Sequence, residues 1–157
     1  MLELGVELDD VRQAVIDPDG PLEALDAVHA GGTFDVVVLG SHLVNNPDPE
    51  RRRAFLVFAA RHLVHGGRLL LEHHPIDWAE TAEATRPTPG ATLGMIEVRR
   101  HPPFVSAVSV YDAGGRIVRQ PFTARVLSDA ELDAALVGAG LARRARLAPT
   151  WLEARRL

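Results

Sequence analysis

The chain has 157 residues, of which 46% are hydrophobic, and a formal net charge of −4; this length fits one domain with a buried core. No apolar run approaches the ~20 residues of a membrane span, and the acidic start differs from a basic secretory leader, so we expect a cytoplasmic protein that does not enter a membrane. The absence of cysteine excludes disulfides, thiolate nucleophiles and cysteine-based metal or iron–sulfur sites.

The basic residues exclude further kinds of catalytic and binding site. All 17 are arginine, which excludes lysine Schiff-base chemistry and the phosphate-binding lysine of a P-loop. They form no dense tract with interleaved aromatic residues, so nucleic acid is not an expected partner.

The first part of the chain alternates between predicted strands and helices. Residues 11–16 form a candidate strand that ends in the turn-forming sequence Asp-Pro-Asp-Gly-Pro, and residues 21–29 can form two helical turns. Phe34–Leu39 is a continuous apolar run, typical of a strand that is buried on both faces of a parallel sheet.

The next helix carries the clearest signals in the sequence. Asp48 is a candidate cap, and Pro49 suits the first helical position. The helix is predicted to end at the Gly66-Gly67 pair, before a second buried strand at 68–72. Strand, helix and strand in this order predict a right-handed βαβ unit. The helix presents one apolar stripe: Phe55, Phe58, Ala59, His62 and Leu63.

The second half of the chain changes character. Residues 75–92 are predicted to be irregular, and alternating segments at 93–100, 105–112 and 116–126 predict antiparallel strands, with a hairpin turn at Gly114-Gly115.

A last helix and two closing strands complete the predicted elements. Ser128 and Glu131 have the spacing of a capping box. The helix is predicted to present Leu132, Leu136 and Val137 to the core, and segments 141–147 and 150–155 predict two antiparallel strands.

Four motifs in this order resemble the class I S-adenosylmethionine-dependent methyltransferases. They are FDVVVL at 34–39, HLVHGGRLLL at 62–71, LSDAEL at 127–132 running into GAGL at 138–141, and WLEARR at 151–156. In that family they are the fourth strand, a helix end with the fifth strand, the last helix and the closing antiparallel strand.

The resemblance implies an α/β fold in a single domain, 1–157. The expected architecture is an incomplete Rossmann-like methyltransferase sheet of parallel strands, with a C-terminal antiparallel hairpin and an inserted antiparallel meander. The meander at 93–126 would cover the substrate side.

The same resemblance assigns the cofactor residues. Asp17, at the end of the family's third strand, would accept a hydrogen bond from the adenine amine of S-adenosylmethionine, and Gly40 and Ser41 follow the fourth strand and are assigned to the same cofactor. The family's first two strands and glycine-rich loop would precede Met1, so the chain corresponds to the C-terminal two-thirds of such an enzyme.

Without the family's first two strands, the predicted sheet has an exposed strand edge that needs a partner. We expect the strand at 11–16 to pair with Phe34–Leu39, or the chain to form a homo-oligomer or to bind a complementing N-terminal chain.

Two polar segments, residues 40–45 and 72–74, follow the ends of predicted strands. Ligands bind to open α/β sheets at such strand ends. Histidine is a suitable base for a hydroxyl or activated-carbon methyl acceptor, and His42 and His73 are therefore the candidate catalytic residues. Four further residues are candidates for contacting a small-molecule acceptor: Asn45, His74, Trp78 and Tyr111.

Each of these residues also has a structural interpretation. Ser41 and Asn45 can form hydrogen bonds to backbone groups in a tight connection. Asp17 can stabilise a turn without binding the cofactor. Buried histidines or aromatic residues can simply belong to the core. The neighbouring His73 and His74 point to opposite sides of an extended chain, so a shared metal ion is not expected.

The sequence thus favours an S-adenosylmethionine-dependent methyltransferase that acts on a small molecule. The alternative is a non-catalytic relic or binding module that retains the methyltransferase scaffold.

Overall fold

The computed structural model describes residues 32–85, 93–113 and 116–157. The predicted strand at 11–16 and its pairing, the predicted helix at 21–29, Asp17 and the turn at Gly114-Gly115 lie outside the described residues. The strands are β1 (Phe34–Leu39), β2 (Leu63–Glu72), β3 (Leu93–His101), β4 (Phe104–Ala113), β5 (Arg116–Arg125), β6 (Leu141–Ala148) and β7 (Trp151–Arg156). The helices are α1 (Pro49–Arg61), α2 (Trp78–Thr81) and α3 (Asp129–Gly138), and a 3₁₀ turn spans Leu43–Asn45.

The described strands form two sheets. The first has the order β1-β2-β7-β6 and the second the order β3-β4-β5. β1 and β2 run parallel, whereas β7 is antiparallel to both of its neighbours, β2 and β6. The predicted α/β class, with parallel strands, a C-terminal antiparallel hairpin and an antiparallel meander, is confirmed.

Helix α1 begins where the sequence predicts and ends earlier. Asp48 Oδ1 accepts the backbone N–H of Glu50 at 2.8 Å, as an N-cap does. The helix ends at Arg61 with His62 as its C-cap, and β2 begins at Leu63, so the predicted helix end at Gly66-Gly67 is wrong.

The two glycines serve a bulge at the start of β2. Phe34 pairs with Leu63 and Val36 with Arg68, so β2 takes up extra residues against β1. Gly66 has φ 75°, a left-handed conformation that glycine adopts at little cost. A helix C-cap and a bulge both use glycine in this left-handed conformation. The glycine pair alone therefore does not distinguish a helix end from a bulge.

Helix α3 is capped as predicted. Ser128 Oγ accepts the backbone N–H of Glu131 at 3.3 Å, and the Glu131 carboxylate accepts the backbone N–H of Ser128 at 2.9 Å. Leu132 and Leu136 are buried, but Val137 is 62% exposed. Its predicted place in the core is wrong, because it lies on the solvent side of the helix.

The main core lies between the first sheet and helices α1 and α3. Leu69 and Leu71 of β2 join this core, while Leu70 between them is buried on the opposite face, as expected of a strand covered on both sides. Other fully buried members of the core are Phe55, Leu56, Leu136, Leu141 and Leu152. Among the described residues, no helix is long and apolar enough to cross a membrane.

The second sheet has a smaller core. Its buried members are Ala79, Ala82, Val105 and Val126, with Trp78, Met95 and Val98 packed against them. In the described part of the region predicted as irregular, Trp78–Thr81 form the one-turn helix α2, and Thr85 forms a bridge with Met95 of β3. β5 ends at Arg125, one residue before the predicted end.

Candidate functional site

The candidate site lies where the parallel strands β1 and β2 end side by side. Leu39 pairs with Leu71, so the loop that begins at Gly40 lies next to the segment that begins at Glu72. This is the edge at which open α/β sheets bind ligands. The structure brings together most of the predicted residues here: Gly40, Ser41, His42, Asn45, His73, His74 and Trp78.

Glu72, which is not among the predicted site residues, links the two segments. Its Oε2 accepts the backbone N–H of Ser41 at 2.7 Å, and its Oε1 lies 3.7 Å from His42 Nε2. The feature that could have indicated a role for Glu72 is the parallel register of the two strands, because it puts the last residue of β2 beside the loop after β1. That register follows from the fold rather than from any local motif.

The loop after β1 has an unusual backbone. Ser41 and His42 have φ values of 57° and 52°, and left-handed conformations cost free energy in residues other than glycine. The loop is stabilised by the Ser41–Glu72 bond and by a hydrogen bond of 2.8 Å from the backbone N–H of Asn45 to the carbonyl of His42. These contacts hold the His42 ring over the end of β2.

Three aromatic rings form a stacked column at this edge. The centroids of His42 and His74 are 3.9 Å apart with planes at 15°, and those of His74 and Trp78 are 3.6 Å apart with planes at 2°. We refer to His42, His74 and Trp78 as the ring column. Each inner face of the column is covered by the neighbouring ring.

Burial keeps the two histidines of the ring column neutral at physiological pH. It lowers the pKa of His74 to about 3, an effect to which His42 and His73 add. Burial also lowers the pKa of His42, but the Glu72 carboxylate opposes this effect. Of the two rings, His42 therefore has the environment that better accommodates a proton.

The two nitrogens of His42 differ in their surroundings. Nδ1 is fully buried without a hydrogen-bond partner, whereas Nε2 faces the Glu72 carboxylate. The side chain of His42 is 31% exposed, so Nε2 is the nitrogen through which a ligand could exchange a proton.

His73 has a different environment from its neighbour. It is 4% exposed, its Nδ1 donates to the carbonyl of His74 at 2.9 Å, and its Nε2 lies 3.4 Å from Arg146 Nη1. Burial and the Arg146 charge lower its pKa, although the bond to His74 opposes them. Because both nitrogens are engaged, the geometry favours a structural role over the predicted catalytic one.

Asn45 also contacts protein groups with both side-chain atoms. Its Oδ1 accepts the backbone N–H of His74 at 2.8 Å, and its Nδ2 donates to the carbonyl of Arg125 at 2.9 Å. Only 2% of the residue is exposed. The geometry therefore favours the interpretation that Asn45 satisfies backbone groups, rather than contacting substrate.

Tyr111 does not join the other candidates. Trp78 packs against the cluster that contains Val105, and Tyr111 is six residues further along the same strand, at about 20 Å for ~3.3 Å per residue. Its ring is 36% exposed on the second sheet. The structure thus places Tyr111 away from the ring column.

Comparison with known proteins gives one kind of match. No protein-family model matches the chain, and no curated protein matches it. Among solved structures, an S-adenosylmethionine-dependent methyltransferase from Clostridium acetobutylicum ATCC 824 superposes with a TM-score of 0.61 at 10% identity, over 85% of this chain and 62% of that one. The chain has the fold of the class I S-adenosylmethionine-dependent methyltransferases.

Two further methyltransferase structures agree with this fold. The sugar N-methyltransferase KedS8 from Streptoalloteichus sp. ATCC 53650 superposes with a TM-score of 0.57 at 18% identity, over 84% of this chain and 60% of that one. The CcbJ methyltransferase from Streptomyces caelestis superposes with a TM-score of 0.55 at 18% identity, over 87% of this chain and 73% of that one. The chain spans 62% and 60% of the first and second of these three structures.

A methyltransferase fold implies S-adenosylmethionine as methyl donor, whose nucleoside needs partners for its ribose hydroxyls and a slot for adenine. Glu72 Oε2 accepts the backbone N–H of Ser41, and Glu72 Oε1 lies 3.7 Å from His42 Nε2. The inner faces of the ring column are covered, so they offer no slot for adenine. The described residues at this edge do not themselves form a nucleoside pocket.

Proposed function

We propose that this chain carries the methyl-acceptor side of an S-adenosylmethionine-dependent methyltransferase acting on a small molecule, with His42 as the base. The observation that carries the proposal is the His42–Glu72 pair at the carboxyl ends of two parallel strands, in a chain with a methyltransferase fold.

Methyl transfer from a sulfonium is an in-line displacement, in which a protein mainly orients the reactants and excludes water. S-adenosylmethionine supplies the methyl group when it is bound. An acceptor hydroxyl or amine becomes a better nucleophile as it loses its proton to a base. His42 Nε2 would accept that proton, and the Glu72 carboxylate 3.7 Å away would stabilise the resulting imidazolium.

The rest of the ring column supports this role. His74 has a pKa of about 3 and stays neutral, so it does not compete for the proton or repel a protonated His42. The stacked rings also restrict the orientation of the His42 imidazole. The description of KedS8 as a sugar N-methyltransferase is consistent with a polar small-molecule acceptor.

A binding module that retains the methyltransferase scaffold is the second candidate. The observation that favours it is that the described residues at this edge form no nucleoside pocket of their own. In that case the donor side would be missing, or a complementing chain would supply it.

The two candidates differ in cofactor binding and turnover. We expect calorimetric titration of the full chain with S-adenosylmethionine to show micromolar binding, and radiolabelled methyl groups to pass to members of a panel of small amines and alcohols. His42→Asn should lower the rate of transfer by about 100-fold, the usual contribution of a general base, with binding unchanged. Absent or millimolar binding would favour the binding module.

His65→Asn is the matched control. His65 lies in the bulge at the opposite end of β2, where its Nδ1 contacts the carbonyl of Leu157. It should leave the rate of transfer unchanged. Equal rates for His42→Asn and His65→Asn would refute the assignment of the base.

A further inference from the structure

Asn45 makes three hydrogen bonds to three separate parts of the candidate site. Its backbone N–H donates to the carbonyl of His42, its Oδ1 accepts the backbone N–H of His74, and its Nδ2 donates to the carbonyl of Arg125. These bonds measure 2.8, 2.8 and 2.9 Å. One residue therefore joins the loop after β1, the segment after β2 and the end of β5.

Two of the partners belong to the ring column. Asn45 fixes the backbone of His42 from one side and that of His74 from the other, and these two rings stack at 3.9 Å. A change in either bond would alter the separation of the rings. The position of His42 Nε2 relative to Glu72 depends on the same loop.

The third partner connects the site to the second sheet. Arg125 is the last residue of β5, and its side chain forms a 2.6 Å ion pair with Glu131 in the capping box of α3. The bond from Asn45 Nδ2 thus ties the ring column to the point at which the second sheet leads into α3. Since Asn45 is 2% exposed, water does not readily replace these bonds.

We infer that Asn45 is a positioning residue that sets the placement of the His42 and His74 rings by tying both to the end of β5. The inference rests on the proposed function, because the placement of His42 matters to the reaction only if His42 is the base. It differs from the substrate contact predicted from the sequence, since the buried amide acts through the histidines.

The amide side chain suits this task because it offers an acceptor and a donor at once. Serine at position 45 is too short to maintain both bonds. We expect Asn45→Ser to let water reach the ring column, so that the pKa of His42 rises towards its ordinary value of 6.5. The proton resonances of the two imidazoles should also lose the shift that each ring induces in the other.

The experiment is a histidine NMR titration of the full chain, with Asn46→Ser as the matched control. Asn46 is the neighbouring asparagine, and its Oδ1 accepts the local backbone N–H of Asp48 at 3.0 Å. We expect Asn45→Ser, but not Asn46→Ser, to change the ring shifts and the pKa of His42. In the methyl-transfer assay, Asn45→Ser should lower kcat about tenfold or more with little change in KM.

Two results would overturn the inference. The first is an Asn45→Ser variant with a lowered urea midpoint but wild-type ring shifts and a wild-type His42 pKa, which would make Asn45 merely structural. The second applies even if the variant does not fold: rapid solvent exchange of the His74 backbone amide in the wild-type chain, at the rate of an exposed amide, would contradict the bond to Asn45.

The proposed function can fail separately. A wild-type chain that transfers no methyl group, but whose ring shifts still depend on Asn45, would refute the proposed methyl transfer by this chain and leave the structural coupling intact. Ring shifts that do not depend on Asn45, in a chain that does transfer methyl groups, would refute only the positioning role.

Discussion

The two sheets differ in the size of the buried core that packs against each of them. In the four-stranded sheet, β2 is buried on both faces and packs against α1 and α3 through leucine and phenylalanine side chains. In the three-stranded sheet, β5 is exposed along most of its length, and the core consists mainly of alanine and valine. The fold is therefore stabilised by the first sheet, and the candidate site lies where the thinly packed second sheet meets it.

This difference has a functional consequence. The ring column ends at Trp78, which packs on the small core of the second sheet. His42, the proposed base, is at the other end of the column, on a loop that extends from the first sheet. A thinly packed sheet can shift with less free-energy cost than a dense core, so the second sheet is the more adjustable side of the candidate site.

The largest expected difference between the sheets is in stability. Leu71 is fully buried in β2, and Leu71→Ala should lower the free energy of unfolding by about 3 kcal/mol, because it leaves a cavity in the main core. Ile117 on β5 is 58% exposed, so Ile117→Ala should cost less than about 0.5 kcal/mol. Urea denaturation measures both, and similar losses would contradict the contrast between the sheets.

The second prediction concerns how the free energy of unfolding depends on pH through His74. The pKa of His74 is about 3 in the folded chain, below its unfolded value of 6.5. Above pH 6.5 both states are neutral; as pH falls from 6.5 towards 3, only the unfolded state takes up the proton. Stability should therefore fall by about 1.4 kcal/mol per pH unit for this one histidine.

His74→Phe tests that pH dependence, because phenylalanine can retain the stacking and cannot take up a proton. Its free energy of unfolding, measured in urea between pH 4 and 6, should change less steeply with pH than that of the wild type. Ile117→Ala should keep the wild-type slope. Parallel slopes for all three chains would show that His74 is not held neutral by burial.

The smallest predicted effect lies at the junction of the two sheets. Ser128 caps α3 directly after β5, and Ser128→Ala should lower the free energy of unfolding by about 1 kcal/mol, the usual cost of losing such a cap. Asp48→Ala, at the cap of α1, should cost a similar amount. Thermal unfolding of both variants sharpens the comparison, and no loss for Ser128→Ala would refute the capping box.

The elements that were predicted correctly are those with local signals. The strand Phe34–Leu39, the N-caps of α1 and α3, and the antiparallel meander follow from composition and spacing over a few residues. The predicted burial of that strand on both faces is wrong, because Val38 is 57% exposed. The end of α1 was not predicted correctly, because Gly66 provides the same conformation to a bulge as to a helix cap. Val137 was misplaced since its position in the helical stripe does not specify which neighbours cover it.

The site could be predicted only in part. The sequence places His42 and His74 at the ends of adjacent strands, so their proximity follows from the fold. The stacking of His74 on Trp78 and the engagement of Glu72 depend on tertiary contacts that no local pattern specifies. For the same reason the sequence could not distinguish the partly exposed His42, whose Nε2 faces Glu72, from His73, whose two ring nitrogens both have partners.

We propose that the edge carrying His42 and His74 adjoins the transferred methyl group. The most direct measurement is histidine-selective NMR of the full chain during titration with S-adenosylhomocysteine, the demethylated product. We predict that the ring signals of His42 and His74 shift as the ligand saturates, whereas those of His65 and His101 do not. Saturable binding that shifts only His65 or His101, or that moves no histidine signal, would contradict the account.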